Sequence, residues 1–504
     1  MLFNILLFIL LGCSVSWFIT DLLLRFKIGQ SINNSLPQHH HTHSGVIPRI
    51  GGVGIISGFS AIYVVCFLLY DVSDKYAVAH FALFGGALAA FTLGLLDDFL
   101  TLGAKLKLLL QIGIALIAYF CGLSIETFSI PFTEITMDLR LFSLVVTVTW
   151  FVAIMNLINL IDGLDGLAGG IGCMLMVLLA YLAFSKGAFI PGVLALGAIG
   201  AIVGFLFHNF PPAKVYMGDS GAYSIGYIIA ALALLNAEKG AVVAALVGPA
   251  LALALPIVDV GYAIIRRAVQ GLPLFRADRG HIHHRLMRLG LNRTKTVLLL
   301  YAISLVALVA GLMAFADQGR YLSILLGAVL FVLLVALRGQ KISLASLQGY
   351  LSDSLGTRVD TQNAIILKNW FALEAERADT GSHLWTDFQF IVKKMGFCRA
   401  EIHLDGLHHS FFTPGSPEPE SKNLLCLSQK IFGVASGELI LYAEVDNFTD
   451  RHFNLLCDIA LEAWTQASIK WLAANETPLT LEAVAKPMEN YRSQKVRNLY
   501  RPTY

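Results

Sequence analysis

The chain has 504 residues, of which 56% are hydrophobic and only 14% charged, with a mean hydropathy of +0.69. A soluble globular chain averages about 45–50% apolar and about 25% charged residues, so the apolar surplus must face lipid. The net charge of +2 gives no ground for nucleic-acid binding, and the seven cysteines form no CxxC pair, which argues against a zinc site or a disulfide framework.

A membrane helix needs roughly 20 apolar residues, and on that rule about eleven spans are expected. They fall near 1–24, 53–70, 77–96, 106–123, 140–158, 166–184, 188–207, 221–236, 240–264, 296–315 and 320–337. The first run reaches Leu24 without a small-residue cleavage site, so it reads as a retained helix and not a signal peptide. Lys and Arg gather in the odd-numbered loops: Arg25, Lys27 and Arg49; Lys105 and Lys107; and eight basic residues between Arg266 and Lys295. Positive loops stay on the cytoplasmic side, which places the N-terminus outside and the C-terminal region inside.

Ionisable groups at membrane helix ends are costly unless used or paired. The run HHHTH at 39–43 reads as a native loop between two spans. PRIGG at 48–52 puts Arg49 and two glycines at the start of the second span. LGLLDDF ends the third with Asp97 and Asp98, a pair suited to a divalent cation or to holding a base near a phosphate; a hydrated helix end explains such a pair equally well. Lys105 and Lys107 follow as point charges for a phosphate, or as ordinary positive-inside residues.

NLINLIDGLDGLAGG, residues 156–170, places Asn156, Asn159, Asp162 and Asp165 at three-residue spacing, which on a helix predicts one polar face. In HNFPPAKVYMGDSGAYSIGY, residues 208–227, Asp219 is expected in a Gly-Asp-Ser-Gly turn just before a helix. A carboxylate there suits Mg²⁺, or else caps the helix. Asn209 and Lys214 add polar groups. FRADRGHIHHRL, residues 275–286, offers Arg276, Asp278, Arg279, His281, His283, His284 and Arg285 without a zinc pattern, so an anion clamp is the reading, against a plain solvated basic loop.

From about Gly339 the composition turns mixed. Segments 398–404 and 438–443 read as strands, and 452–472 has helical spacing. The fold class expected is therefore an all-α polytopic membrane protein of about eleven transmembrane helices, residues 1–338, with a C-terminal soluble α/β domain, 339–475, and a tail, 476–504. The strand-then-long-helix ending is similar to a GAF-type sensory domain.

In their order, PRIGG, LGLLDD, NLIDGLDGLAGG, VYMGDSGAYSIGY and HIHH resemble the polyprenyl-phosphate N-acetylhexosamine-1-phosphate transferases, over residues 1 to about 338. The resemblance implies transfer of a sugar 1-phosphate from a UDP-N-acetylhexosamine to undecaprenyl phosphate with release of UMP, requiring Mg²⁺ or Mn²⁺. It implies a catalytic set of Asp97, Asp98, Asp162 and Asp219, with Asp97 acting on the lipid phosphate. Asp219, Asn159 and Asp162 would hold the metal. Arg49, Lys107, Asn156, Asp165, Asn209, Arg279, His281, His283 and His284 would bind substrate. PRIGG and HIHH are similar to the branch that starts O-antigen, enterobacterial common antigen or teichoic acid; the phospho-MurNAc-pentapeptide translocases usually carry Thr-Met at Arg49-Ile50. GlcNAc is the expected sugar. Relatives often have Arg-Lys where His40 and His41 stand here.

The partners expected are thus a UDP-N-acetylhexosamine, undecaprenyl phosphate and membrane lipid. A homodimer stays open, and residues 339–504 are expected to bind a regulator. The competing readings are an ion-coupled transporter, which would place its acids near mid-membrane, and a membrane-anchored sensor, which leaves the polar loops unexplained.

Overall fold

The structure is a computed structural model that describes residues 2–28, 47–70, 74–100, 102–129, 136–236, 254–273, 286–287, 290–316, 352–404, 407–413, 423–431 and 437–475. It divides into two compact units. The first holds Met1–Asn34, His43–Ile265 and Phe275–Ile342; the second holds Ser35–Thr42, Arg266–Leu274 and Ser343–Tyr504.

The described part of the first unit is helical: α1 (Leu2–Arg25), α2 (Gly51–Leu69), α3 (Asp74–Leu100), α4 (Ala104–Phe120), α5 (Phe142–Ile161), α6 (Leu167–Ser185), α7 (Phe189–Asn209), α8 (Gly218–Leu235), α9 (Ala254–Gln270) and α10 (Arg293–Ala316). Between α4 and α5 in the chain, β1 (Thr127–Ser129) pairs antiparallel with β2 (Thr136–Asp138). Among the described residues seven helices are long and apolar enough to cross a membrane, namely α1, α2, α3, α5, α6, α7 and α8. The protein is a multi-pass membrane protein. The expected spans at 240–264 and 320–337 lie partly or wholly outside the described residues, and the run at 106–123 forms α4, of 17 residues.

Helix α8 is the axis of the bundle. Sixteen of its eighteen residues are buried, and it packs on α3, α5 and α2. Contact with α3 is close because Gly94 has no side chain: a Cβ there would lie 2.3 Å from the Asp219 carbonyl oxygen. Lower on the same face, Tyr227 donates to the Ala82 carbonyl at 2.9 Å. In lipid the packing of backbone on backbone replaces the hydrophobic drive, so small residues mark such contacts.

The second unit contains α11 (Arg358–Glu374), α12 (Gly381–Lys394), β3 (Arg399–Leu404), β4 (Leu407–Phe412), β5 (Leu424–Ile431), β6 (Gly437–Glu444) and α13 (Asp450–Asn475). The strands make an antiparallel sheet in the order β4-β3-β6-β5, with Arg399 opposite Phe412 on one side and Tyr442 on the other. Alternation sends Ala400, Ile402, Leu404, Leu439, Leu441 and Ala443 to one face. There they join Phe371, Phe388 and Trp464 of the helices in one core.

Candidate active site

The chain crosses back and forth so that α1, α3, α5 and α7 end, and α2, α4, α6 and α8 begin, at one end of the bundle. Hydrogen bonds tie these ends together. Gly51 N–H donates to the Tyr216 carbonyl at 2.9 Å, Gly52 N–H to Met217 at 3.0 Å, and Tyr216 N–H to Pro48 at 2.9 Å. These bonds tie the PRIGG segment and the start of α2 to the VYMGD segment that leads into α8.

Asp98 completes the start of α8. The first N–H groups of a helix have no partner within it. Here the N-cap residue, Met217, offers no side-chain bond. Instead Asp98 reaches from the end of α3 and accepts from Asp219 N–H at 3.0 Å and Ser220 N–H at 3.1 Å, one on each carboxylate oxygen. The sequence placed Asp219 in a turn ahead of the helix; the structure corrects this, since Gly218 already begins α8 and Asp219 stands in its first turn. Asp98 is thus engaged in holding Asp219, while Asp219 turns its carboxylate outward.

Lys107, in the first turn of α4, lies between two carboxylates. Its Nζ contacts Asp97 Oδ2 and stands 3.5 Å from Asp219 Oδ2. The other oxygen of Asp97 accepts from Leu102 N–H at 2.8 Å, which closes the turn between α3 and α4. Asn159 from α5 and Tyr223, one turn on in α8, lie beside the Asp219 carboxylate. Asp97 and Asp219 adjoin each other, and the Lys107 ammonium offsets their like charge.

Asp162 follows the last residue of α5, half-buried and within the fields of Asp219, Asp98 and Arg49. Burial holds its carboxyl well above the usual carboxylate range; the charges of Asp219 and Asp98 push the same way and Arg49 opposes them. The expected polar row from Asn156 to Asp165 does not continue as one helical face, because α5 ends at Ile161. Asn156 donates to Gln111 of α4 at 2.6 Å. Asn159 and Asp162 face the Asp219 cluster. Asp165 turns away, accepting from Ala213 N–H at 3.2 Å and lying 3.7 Å from Arg293. The loop ends at Gly166, whose φ of +80° few other residues adopt. Its N–H donates to Asn209 Oδ1 at 2.8 Å, and Asn209 in turn donates to the Val215 carbonyl at 2.8 Å.

Asp97, Asp98, Lys107, Asn159, Asp162 and Asp219 are therefore brought together, with Arg49 beside them. Asp165 and Asn209 brace the flanking loops, and Asn156 ties α5 to α4. Arg276, Asp278, Arg279, His281, His283, His284 and Arg285, and His40 and His41, lie outside the described residues. Among the described residues no three His, Cys, Asp or Glu side chains converge in metal-ligating geometry.

Sequence reasoning overlooked Gln111, Tyr223, Arg293 and Tyr301. Gln111 had a signal, a single amide inside an apolar run. Tyr223 stands four residues after Asp219, the helical spacing for a contact. Arg293 was read only as one of the positive charges of its loop, and nothing local marked Tyr301.

Comparison with known proteins identifies the family. Residues 53–237, which include Asp97, Lys107, Asp162 and Asp219, match the family described as Glycosyl transferase family 4. A protein of Bacillus subtilis, named probable undecaprenyl-phosphate N-acetylglucosaminyl 1-phosphate transferase, is 36% identical over 270 residues, 54% of this chain and 74% of that one. A phospho-N-acetylmuramoyl-pentapeptide-transferase of Listeria monocytogenes is 32% identical over 298 residues, 56% of this chain and 88% of its own. One from Staphylococcus aureus is 29% identical over 305 residues, covering 58% and 91%. The chain thus belongs to glycosyl transferase family 4 and is an enzyme that transfers a phosphosugar.

Proposed function

We propose that the protein transfers N-acetylhexosamine 1-phosphate, with GlcNAc 1-phosphate the first choice, from the UDP-sugar to undecaprenyl phosphate and releases UMP, starting a lipid-linked envelope glycan. The observation that carries this reading is the Asp97–Lys107–Asp219 arrangement beside Asp98 and Asp162. A cationic group poised between carboxylates at the membrane edge can exchange carboxylate for phosphate partners when an anionic lipid and a diphosphate arrive. The printed name of the Bacillus relative supports the choice of sugar and acceptor.

Asp219 and Asp162 with the Asn159 amide supply hard oxygen donors. Such a set fits Mg²⁺, which takes few protein carboxylates and keeps water or substrate oxygens in the rest of its shell. Bound there, the cation would neutralise charge on the diphosphate. Asp98 keeps Asp219 in place, and Asp97, adjoining Lys107, is the group set to orient the acceptor phosphate. Arg49 and Lys107 would hold phosphate oxygens. Asn156, Asp165 and Asn209 would shape the nucleotide side, with Arg279, His281, His283 and His284 as further donor contacts.

In this reading four further crossings bring the total to about eleven. The site and the second unit face the cytoplasm of a bacterial inner membrane, and the second unit is regulatory. The test uses membranes containing the protein, labelled UDP-GlcNAc, undecaprenyl phosphate and Mg²⁺. A lipid-linked labelled product, lost in Asp219→Asn and Asp98→Asn, is expected. No product with any UDP-N-acetylhexosamine would sink the proposal.

A further inference from the structure

The loop between α5 and α6 carries Asp162 at one end and Gly166 at the other, and α10 grips it at two points. Tyr301 donates its hydroxyl to the Gly166 carbonyl at 2.5 Å. That carbonyl already accepts the first helical bond of α6, from Gly170 N–H at 3.0 Å. Eight residues earlier on α10, Arg293 lies 3.7 Å from the Asp165 carboxylate. The tyrosine ring is let in by Gly170, where a Cβ would stand 2.1 Å from the ring's Cζ and hydroxyl. Gly166 is the hinge of the loop because of its positive φ, and its N–H is fixed from the other side by Asn209. Both peptide faces of the hinge are thus held, one by α7 and one by α10. Helix α10 lies beyond residue 237, where the family match ends.

We propose that Tyr301 and Arg293 are positioning residues for the reaction: they clamp the Gly166 hinge so that Asp162 keeps its place beside Asp219. The argument rests on the transferase reading for its consequence and on geometry alone for the clamp. Removing the tyrosine hydroxyl leaves no carbonyl without a partner, since the α6 bond remains, so the fold should survive. What is lost is the second restraint on a glycine that has little conformational preference of its own. Misplacement of a reacting group by about 1 Å is enough to cost up to about a hundredfold in rate.

The experiment uses the full-length protein in detergent micelles, as wild type, Tyr301→Phe, Arg293→Gln and Asp162→Asn. Tyr301→Phe should lower kcat about tenfold and leave KM for UDP-GlcNAc within about twofold, the pattern of a defect confined to the transition state. Peptides spanning 162–166 should exchange deuterium faster in Tyr301→Phe and in Arg293→Gln, with the unfolding midpoint unchanged. Unchanged exchange in both variants, or a fall in kcat that tracks a fall in the unfolding midpoint, would overturn the clamp. An Asp162→Asn enzyme as active as wild type would overturn it too, by removing its target. A wild type inactive with every donor would overturn the transferase reading; deuterium exchange does not depend on turnover and so tells the two failures apart.

Discussion

Lys107 sets the charge balance of the site, because the two acids it faces come from two other helices, α3 and α8. In Lys107→Met, Asp97 and Asp219 would face each other without a counter-charge. Phosphosugar transfer is expected to fall by about a hundredfold or more, as when a preorganised charge is removed. Lys107→Arg should restore it only in part, since the larger planar guanidinium keeps the charge but not the compact geometry of the ammonium. Near wild-type turnover in Lys107→Met, measured with labelled donor, would contradict this role. A second residue-scale prediction concerns the second unit. His452 is buried against Phe448 at a ring separation of 5.5 Å. Burial lowers its pKa below the usual histidine range, with Asp360 and Asp353 opposing. For a base depressed in the folded state, stability is full above the ordinary value of about 6.5 and is lost as pH falls through the lower folded value. The unfolding midpoint of this unit should therefore drop as pH falls below about 6.5, and His452→Phe should flatten the drop. An equal pH slope in both proteins would count against it. Of these residues Lys107 was legible from its loop and motif, but its two partners were not: they lie 10 and 112 positions away, and only folding measures that distance.

At the scale of elements, α3 and α8 must touch for Asp97 and Asp98 to meet Asp219. Gly94 is the contact point, and the atom it meets is backbone, which cannot step aside. Gly94→Ala should destabilise the protein by about 1–3 kcal/mol through overpacking and reduce activity by shifting Asp98 off the α8 amides. Gly85→Ala is the control on the same helix. A Cβ there meets nothing within 4 Å, so thermal unfolding in detergent should show no loss and a gain of up to about 1 kcal/mol from helix propensity. Equal midpoints for the two variants would remove the close approach as a determinant. The helices themselves were largely legible. The run expected at 140–158 is α5, Phe142–Ile161, and that at 188–207 is α7, Phe189–Asn209. Segments 398–404 and 438–443 coincide with β3 and β6. Helix ends were less so: the GDSG segment looked like a turn from its two glycines, whereas Asp98, from another helix, caps it and lets α8 begin at Gly218.

At the scale of the whole molecule, each unit has its own core, the first around α8 and the second around Trp464 and Phe388. A chain ending at residue 342 should therefore keep most of its transferase activity in membranes; loss of activity with the membrane part still folded, judged by gel filtration and thermal unfolding, would assign residues 343–504 to the chemistry. The division between what was readable and what was not follows from range. Hydrophobic runs, their lengths and the charges between them act over one helix, so the sequence by itself determined that this is a multi-pass membrane protein with its acids at helix ends. Motif order tied those acids to a family. Which acid caps, which faces the lysine, and how α10 reaches the Gly166 hinge depend on contacts between helices far apart in the chain. Side-chain volumes and backbone approach decide those contacts, and they exist only once the bundle has packed.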